Sequence, residues 1–474
     1  MSVKRRPVPA LPEAPRAQLL APDIRRSYPS GKQEFCRAFA GKQLELTITA
    51  GGDFPPKTRA TLITNMNAKN VGGTAGAGDW IEVPFERIDE RTFMCRIVPQ
   101  KTGLYSFWTR FSINGGMAMR DSVPDTWVLV DPPQVDQMRM YTLIPAVSGT
   151  IDDWTEALTG IKQMGFNAVH LLPLTTLDTS LSPYSARELF DVDPSYCAPG
   201  KGTGLEQIEA FVEKAKSLGI QLCFDLVLNH IGTDSNMARR ATDWIVPDAA
   251  SPDGMRRARY WCDKGWLPWN DLVLIDYEHP SQETRAEIFH YMTEYALFWA
   301  HYANQTNGFV RFDNLHSSHK AFVDAVTVAL HREYPNVGVI AEYFTDAGTL
   351  LDTIPKWGLN LILATPWDSR FVPQLRGYLK YIHSNAGQVR FYMPITSHDS
   401  GSPAQEFGGV QSTIPRYVAA ALLGTGATGI TQGVEWGVPQ KIDFIGKHSR
   451  IDSPKPPPFG EFLRQVNEIL AAEP

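Results

Sequence analysis

The sequence predicts a (β/α)8 barrel preceded by a small all-β sandwich domain. Three observations carry that expectation: short alternating runs over residues 31–133, a strand–helix rhythm from about residue 138 onward, and an Asp131-Pro132-Pro133 break between the two. Runs with turn signals at regular spacing suggest a sandwich, and Pro after Asp marks a boundary.

The alternating runs are Leu44 to Ile48, Arg59 to Ile63, Ile81 to Val83, Phe93 to Val98, Leu104 to Trp108 and Trp127 to Val130. Gly, Pro and Asp clusters separate them. Beyond the break, apolar runs of strand length fall at 138–147, 167–174, 221–229, 308–313, 337–344, 359–366, 389–397 and 427–434. Helical patterns lie between them, clearest at 204–218, 281–303, 318–333 and 412–424, with a last one at 459–472. Eight strands alternating with helices fit a barrel better than an open doubly wound sheet, and no GxGxxG follows the first strand. The expected division is a leader over 1–30, the sandwich over 31–133 and the barrel over 134–474. The strand 3 connection, about 231–280, is far longer than an ordinary βα loop. It holds Trp244, Trp261, Trp266 and Trp269, and its place on the C-terminal face suits a lid or subdomain.

Composition narrows the function. A chain of 474 residues exceeds the roughly 250–300 that one core serves, so two units are expected. Hydrophobic residues at 43% and charged residues at 20% exclude wholesale disorder. A net charge of −6 gives no basic footprint for nucleic acid. Five scattered cysteines, an odd number with no CxxC, argue against a disulfide framework and a zinc site. No apolar run reaches the roughly 18 residues of a membrane span, and the Pro-rich start lacks a signal-peptide core. The cytoplasm is therefore the expected compartment, with no metal and no cofactor. Oligomeric state is left open. Trp and Tyr are abundant, and Trp80 and Trp108 are candidate sugar contacts set against an ordinary core role.

Charged residues at the ends of buried strands need a reason. Strand 3 ends in Asp225 to His230, strand 4 in Arg311-Phe312-Asp313-Asn314, strand 5 in Ala341-Glu342-Tyr343, and strand 7 in Ser397-His398-Asp399. One such carboxylate reads as a helix cap or ion pair. Four at one barrel mouth read as chemistry, because gathering anions in a desolvated place is costly. Two carboxyl groups, one ionised and one protonated, are what glycoside hydrolysis requires. Arg311 sits two residues before Asp313, on the same strand face, where its charge is expected to keep Asp313 ionised. His316 and His319, spaced i,i+3, are the residues a metal-dependent hydrolase would draw on; a solvated helix start explains them as well.

These segments resemble the four motif regions of the α-amylase superfamily, glycoside hydrolase family 13, in order and spacing. Gly165 to Pro173 resembles the family's second strand, and Ser182-Pro183-Tyr184-Ser185 the segment after it. The resemblance implies Asp313 as nucleophile, Glu342 as general acid/base and Asp399 as a transition-state binder. Tyr184, His230, Arg311 and His398 would bind substrate, and Asp225 would buttress the site. The substrate implied is an α-glucan or maltooligosaccharide. His316-Ser317 and Ser397 depart from the family's common residues. Asn229 matches a calcium ligand of secreted amylases, without an acidic cluster beside it. Arg311 to Ser317 and Ala341 to Thr345 look closest to the glucanotransferase part of glycogen debranching enzyme and to the maltose 1-phosphate maltosyltransferases. The implied reaction is retaining glycosidase or transglycosylase chemistry, leaning to 4-α-glucanotransfer in glycogen or maltodextrin metabolism. An amylase-like hydrolase and a non-catalytic glucan binder are the alternatives.

Overall fold

The structure is a computed structural model that describes residues 25–27, 35–69, 79–120, 125–262, 264–451 and 456–472. The leader expected over 1–30 lies outside these, except Arg25–Ser27. Those three residues pair antiparallel with Leu44–Thr49 and so belong to a sheet.

Two sheets form ahead of the barrel. One is four-stranded, with Leu44–Thr49 and Thr92–Ile97 at its centre. The other is six-stranded and built around Gly103–Ile113 and Thr126–Asp131. Strand alternation sends one face of each sheet inward. Ile48, Phe93 and Cys95 meet Leu62, Tyr105, Phe107 and Phe111 in a single buried cluster. Trp80 is 38% exposed, whereas Trp108 is half-buried under the Arg120 guanidinium, 4.8 Å from its ring.

The barrel closes through eight parallel strands: Arg139–Leu143, Ala168–Leu171, Gln221–Val227, Phe309–Asp313, Gly338–Ala341, Leu361–Leu363, Phe391–Pro394 and Ala427–Thr431. Each lies inside its expected run. The five expected helices are found at Gly204–Ser217, Gln282–Asn304, Lys320–Glu333, Thr413–Leu422 and Gly460–Ala472. Local chemistry sets their ends. Thr203 and Glu206 form a capping box at the start of Gly204–Ser217, and Gly219 (φ +63) follows its last turn.

Inside the barrel, residues two apart on a strand face the same way. The lower inward layer is apolar and includes Met140, Ala168, Cys223, Phe309, Ile340, Leu361 and Tyr392. Two residues further along the strands stand Thr142, His170, Asp225, Arg311 and Glu342. The same periodicity that fills the barrel with apolar side chains therefore stacks ionisable ones directly above them, toward the C-terminal mouth.

The sandwich is locked to the opposite end of these strands. Arg37 donates to both Asp131 oxygens, at 2.5 and 2.9 Å, and to the Asn360 carbonyl at 2.7 Å. Asn360 and Arg390, just ahead of barrel strands 6 and 7, each donate to Asp131 at 2.9 Å. Asp131 is fully buried with every oxygen engaged, so the pair tolerates its burial.

Glu435, in the turn after strand 8, is buried under Tyr141. It accepts from Tyr141 Oη at 2.6 Å and Gly433 N at 2.8 Å. Burial pushes its carboxyl up to about 7. The folded state thus holds a proton that the unfolded chain releases near pH 4.3. Stability is fully present below that pH and falls as pH rises toward about 7, by roughly 3–4 kcal/mol at the plateau. In Glu435→Gln the amide can donate to Tyr141 Oη and accept from Gly433. The fall between pH 4.3 and 7 should vanish in denaturant titrations, and an unchanged slope would count against this assignment.

Candidate active site

The strand ends bring one arginine among three carboxylates. Arg311 Nη1 donates to Asp225 Oδ2 at 2.6 Å and to Asp313 Oδ1 at 3.1 Å. Its Nη2 lies 2.9 Å from Glu342 Oε2. Strand register explains the first contact, since Asp225 and Arg311 are direct neighbours on barrel strands 3 and 4. Asn314, in the left-handed region at φ +48, turns the chain sharply after Asp313. Its N–H then donates to Glu342 Oε2 at 2.9 Å.

Asp225 lies at the bottom of the site. Its Oδ2 also accepts from Tyr184 Oη at 3.0 Å and sits 3.1 Å from His170 Nε2. Burial works to raise its carboxyl, but Arg311 and then His170 outweigh burial and hold it at about 2. Burial lowers His170, and the neutral ring donating from Nε2 can accept from Thr142 Oγ1 at its other nitrogen, 3.2 Å away.

Asp313 behaves differently from the expectation that Arg311 keeps it ionised. Burial and the like charge of Glu342 push it well above the ordinary carboxylate range, and Arg311 opposes them only in part. One guanidinium already neutralises Asp225, so it cannot fully compensate two more anions. Asp313 therefore keeps its proton to higher pH than an isolated carboxylate does.

Asp399 stands at the lip of the site, its side chain 53% exposed. Its Oδ2 is 3.1 Å from His398 Nε2, which is also 2.6 Å from Tyr184 Oη. The Tyr184 and His398 rings stack at 5.7 Å and 7°. Partial loss of water at the lip works to raise Asp399; His398, Arg311 and Lys441 outweigh it and hold the carboxyl well below its usual range. His230 is buried beside Trp269, 6.3 Å between centroids. Neither of its ring nitrogens has a protein hydrogen-bond partner among the described residues.

Glu342 and Asp399 border an open cavity of about 750 Å³ that spreads over strands 5, 6 and 7, with Phe344, Trp367 and Arg370 in its wall. The long strand 3 connection is a small antiparallel sheet, His230–Gly232, Arg257–Cys262 and Gly265–Leu274. The described tryptophans, Trp244, Trp266 and Trp269, do not form one platform. Trp244 packs on Tyr291, Trp269 lies against Tyr260 and His230, and Trp266 is 58% exposed. The Trp261 side chain lies outside what is described.

Asn229 Oδ1 is buried without a partner, but among the described residues no three His, Cys, Asp or Glu side chains are placed to hold a metal. His319 lies 3.6 Å from Glu278 and His316 packs on Phe344. Among the described residues no helix is long and apolar enough to cross a membrane.

His170, Lys441 and Phe444 were missed as site residues from sequence. His170 carried a usable signal, a polar residue on the inward face of a buried strand. Lys441, whose Nζ donates to the Asp399 carbonyl at 2.9 Å, and Phe444 lie in an aperiodic segment with no signal at all.

The structure is thus a (β/α)8 barrel with carboxylates of strands 3, 4, 5 and 7 gathered at its mouth. The model for the glucanotransferase domain of glycogen debranching enzyme matches residues 133–252. The α-1,4-glucan:maltose-1-phosphate maltosyltransferase of Chlorobaculum tepidum is 24% identical over 221 residues, 44% of this chain and 31% of that protein. That of Rhodospirillum rubrum is 24% identical over 249 residues, 47% and 34% of the two chains. The chain thus spans about a third of the length of these curated relatives. Among solved structures, an α-amylase from Lactobacillus plantarum aligns with TM-score 0.56 and 16% identity over 71% of this chain and 80% of that one. A Nostoc punctiforme debranching enzyme aligns with TM-score 0.58 and 16% identity over 73% and 83%. The chain is thus similar in sequence to a glucanotransferase domain and to maltosyltransferases, and similar in fold to α-amylase barrels.

Burial pushes His230 down to about 4. Its imidazole should remain neutral from pH 8 to pH 5 in an NMR titration of the ring nitrogens. Protonation above pH 6 would contradict the dry environment described here.

Proposed function

We propose that the protein is a retaining α-glucan transglycosylase, leaning to 4-α-glucanotransfer, in glycogen or maltodextrin metabolism. The observation that carries the reading is the pairing of Asp313 and Glu342 on the two arms of one buried guanidinium. Glycosidic cleavage needs a proton for the leaving oxygen and a carboxylate for the sugar carbon, and two carboxyl groups held on one guanidinium can supply one of each.

In the first step an Asp313 oxygen bonds to the anomeric carbon as its bond to the glycosidic oxygen breaks. The proton passes from Glu342 to that oxygen. Arg311 Nη1 favours the charge on Asp313, and positive charge developing on the sugar adds to this. Glu342 Oε2 is engaged by the Asn314 N–H, so Oε1 is the oxygen left to carry the proton. In the second step Glu342 takes the proton from an acceptor hydroxyl, which attacks the same carbon and releases Asp313. Asp399, Tyr184, His230 and His398 line the place where the sugar ring would sit. Asp225 positions Arg311 and Tyr184 and does not react. The division into a sandwich ahead of the catalytic barrel, and a cytoplasmic location, belong to the same reading. Among the described residues Cys36, Cys95, Cys197 and Cys223 are free, which accords with a reducing compartment.

Plain amylase-like hydrolysis is the second reading. It is favoured by the openness of the cavity at Glu342, where water can compete with a sugar hydroxyl for the glycosyl-enzyme.

Maltotetraose or maltopentaose alone separates the two. Transfer gives longer and shorter chains with little gain in reducing ends, whereas hydrolysis gives a steady rise and no longer products. Repeating the incubation with maltose 1-phosphate tests the donor named for the curated relatives. Glu342→Gln should slow either reaction by roughly 10²–10⁴, and Asp313→Ala should abolish turnover while sparing binding. Full activity in Asp313→Ala would overturn the assignment.

A further inference from the structure

After barrel strand 8 the chain does not return directly to the outer helices. Residues 438–451 contain neither helix nor strand, yet they are tied to three different strand ends. Lys441 Nζ donates to the Asp399 carbonyl at 2.9 Å, after strand 7. The Gly446 N–H donates to Leu181 O at 2.9 Å, after strand 2. The His448 and Ile451 N–H groups donate to Ala146 O at 2.8 Å and Val147 O at 3.2 Å, after strand 1. A segment without regular structure usually runs loosely over the surface. This one is a strap across the barrel mouth.

Between its ties the strap sends Phe444 inward. The ring meets Tyr184 edge-on at 5.9 Å and 83°, and His398 at 5.4 Å and 83°. The Lys441 ammonium lies 5.1 Å from the same ring. Ile442, Phe444 and Ile451 pack on buried Ile144, Ala146 and Val147. The mouth is thus roofed over strands 1, 2, 7 and 8, while the cavity beside Glu342 lies over strands 5, 6 and 7.

This asymmetry acquires meaning from the polarity of the proposed reaction. Glu342 protonates the leaving oxygen, so the departing part of the glucan lies on the open side. The part bonded to Asp313 lies on the roofed side, against Tyr184, His398 and Phe444. Resting on the function proposed above, we infer that the 438–451 strap, through Phe444, caps the retained side. The donor is then held by its non-reducing end, and a short unit is moved in place of a cut deep within the chain. Phe444 is a specificity-determining residue on this account, and Lys441 a positioning one.

Maltoheptaose labelled with a fluorophore at its reducing end tests the inference, because the label stays on the departing fragment whether water or sugar accepts the rest. For the unaltered protein, labelled maltohexaose and maltopentaose should lead at early times, with labelled maltotriose and shorter fragments only minor. Phe444→Ala should raise the short labelled fragments roughly tenfold, in line with the selectivity that pocket-filling groups confer. Phe444→Leu, which keeps most of the bulk, should retain the original pattern. Lys441→Ala, which loosens the strap without emptying a packed site, should shift it as Phe444→Ala does, but less. An even spread of labelled fragments from the unaltered protein overturns the inference and leaves the glucan-active reading standing. Unchanged patterns in both Phe444→Ala and Lys441→Ala overturn it in the same way. No labelled fragment from any of the proteins overturns the glucan-active reading and the inference with it.

Discussion

Arg311 is the interaction on which the site depends. It is buried in the barrel, 2.6 Å from Asp225, 3.1 Å from Asp313 and 2.9 Å from Glu342. A buried guanidinium or a buried carboxylate alone is expensive; each becomes tolerable because the other is there. A planar fork can serve several carboxylates in fixed directions, which a lysine ammonium cannot. Removing it would leave three anions close together in a poorly solvated space.

The same shortage of positive charge creates the differences between the carboxylates. Asp225, with Arg311, His170 and Tyr184 all on one oxygen, is held ionised. Asp313 receives only the longer contact and faces Glu342, so its carboxyl rises. Chemically identical groups thus differ in how readily they hold a proton, because their surroundings differ. Tyr184 and His398 extend the network to Asp399, so a disturbance at one carboxylate reaches the others through short hydrogen bonds.

Rigidity comes from both ends of the barrel. At the N-terminal end, Arg37 and Asp131 of the sandwich engage Asn360 and Arg390 beneath strands 6 and 7. Phe35, Leu104 and Leu129 of the same sheet join the apolar cluster of the barrel. At the C-terminal end, the 438–451 strap ties the loops after strands 1, 2 and 7. The layer of ionisable side chains lies between these fastenings.

The sequence by itself determined the barrel and the identity of its polar residues. A buried strand reads as an apolar run, and a charge that interrupts it stands out, as Asp225, Asp313, Glu342 and Asp399 do. His170 was equally legible as an interruption, although it carries no charge to draw attention. Tertiary structure decided the rest. The direction in which Asp313 shifts depends on the balance among Arg311, Asp225 and Glu342, which come from three strands and are not neighbours in sequence. The tryptophans of the strand 3 connection looked alike in sequence but went to different surroundings, because burial depends on which helix or strand each one meets. Residues 438–451 have no periodicity, since their structure is imposed by distant loops and not by their own backbone hydrogen bonding. Periodic burial is a local property that a sequence records, whereas the electrostatic balance of a site and the closure of its mouth arise only when remote segments meet.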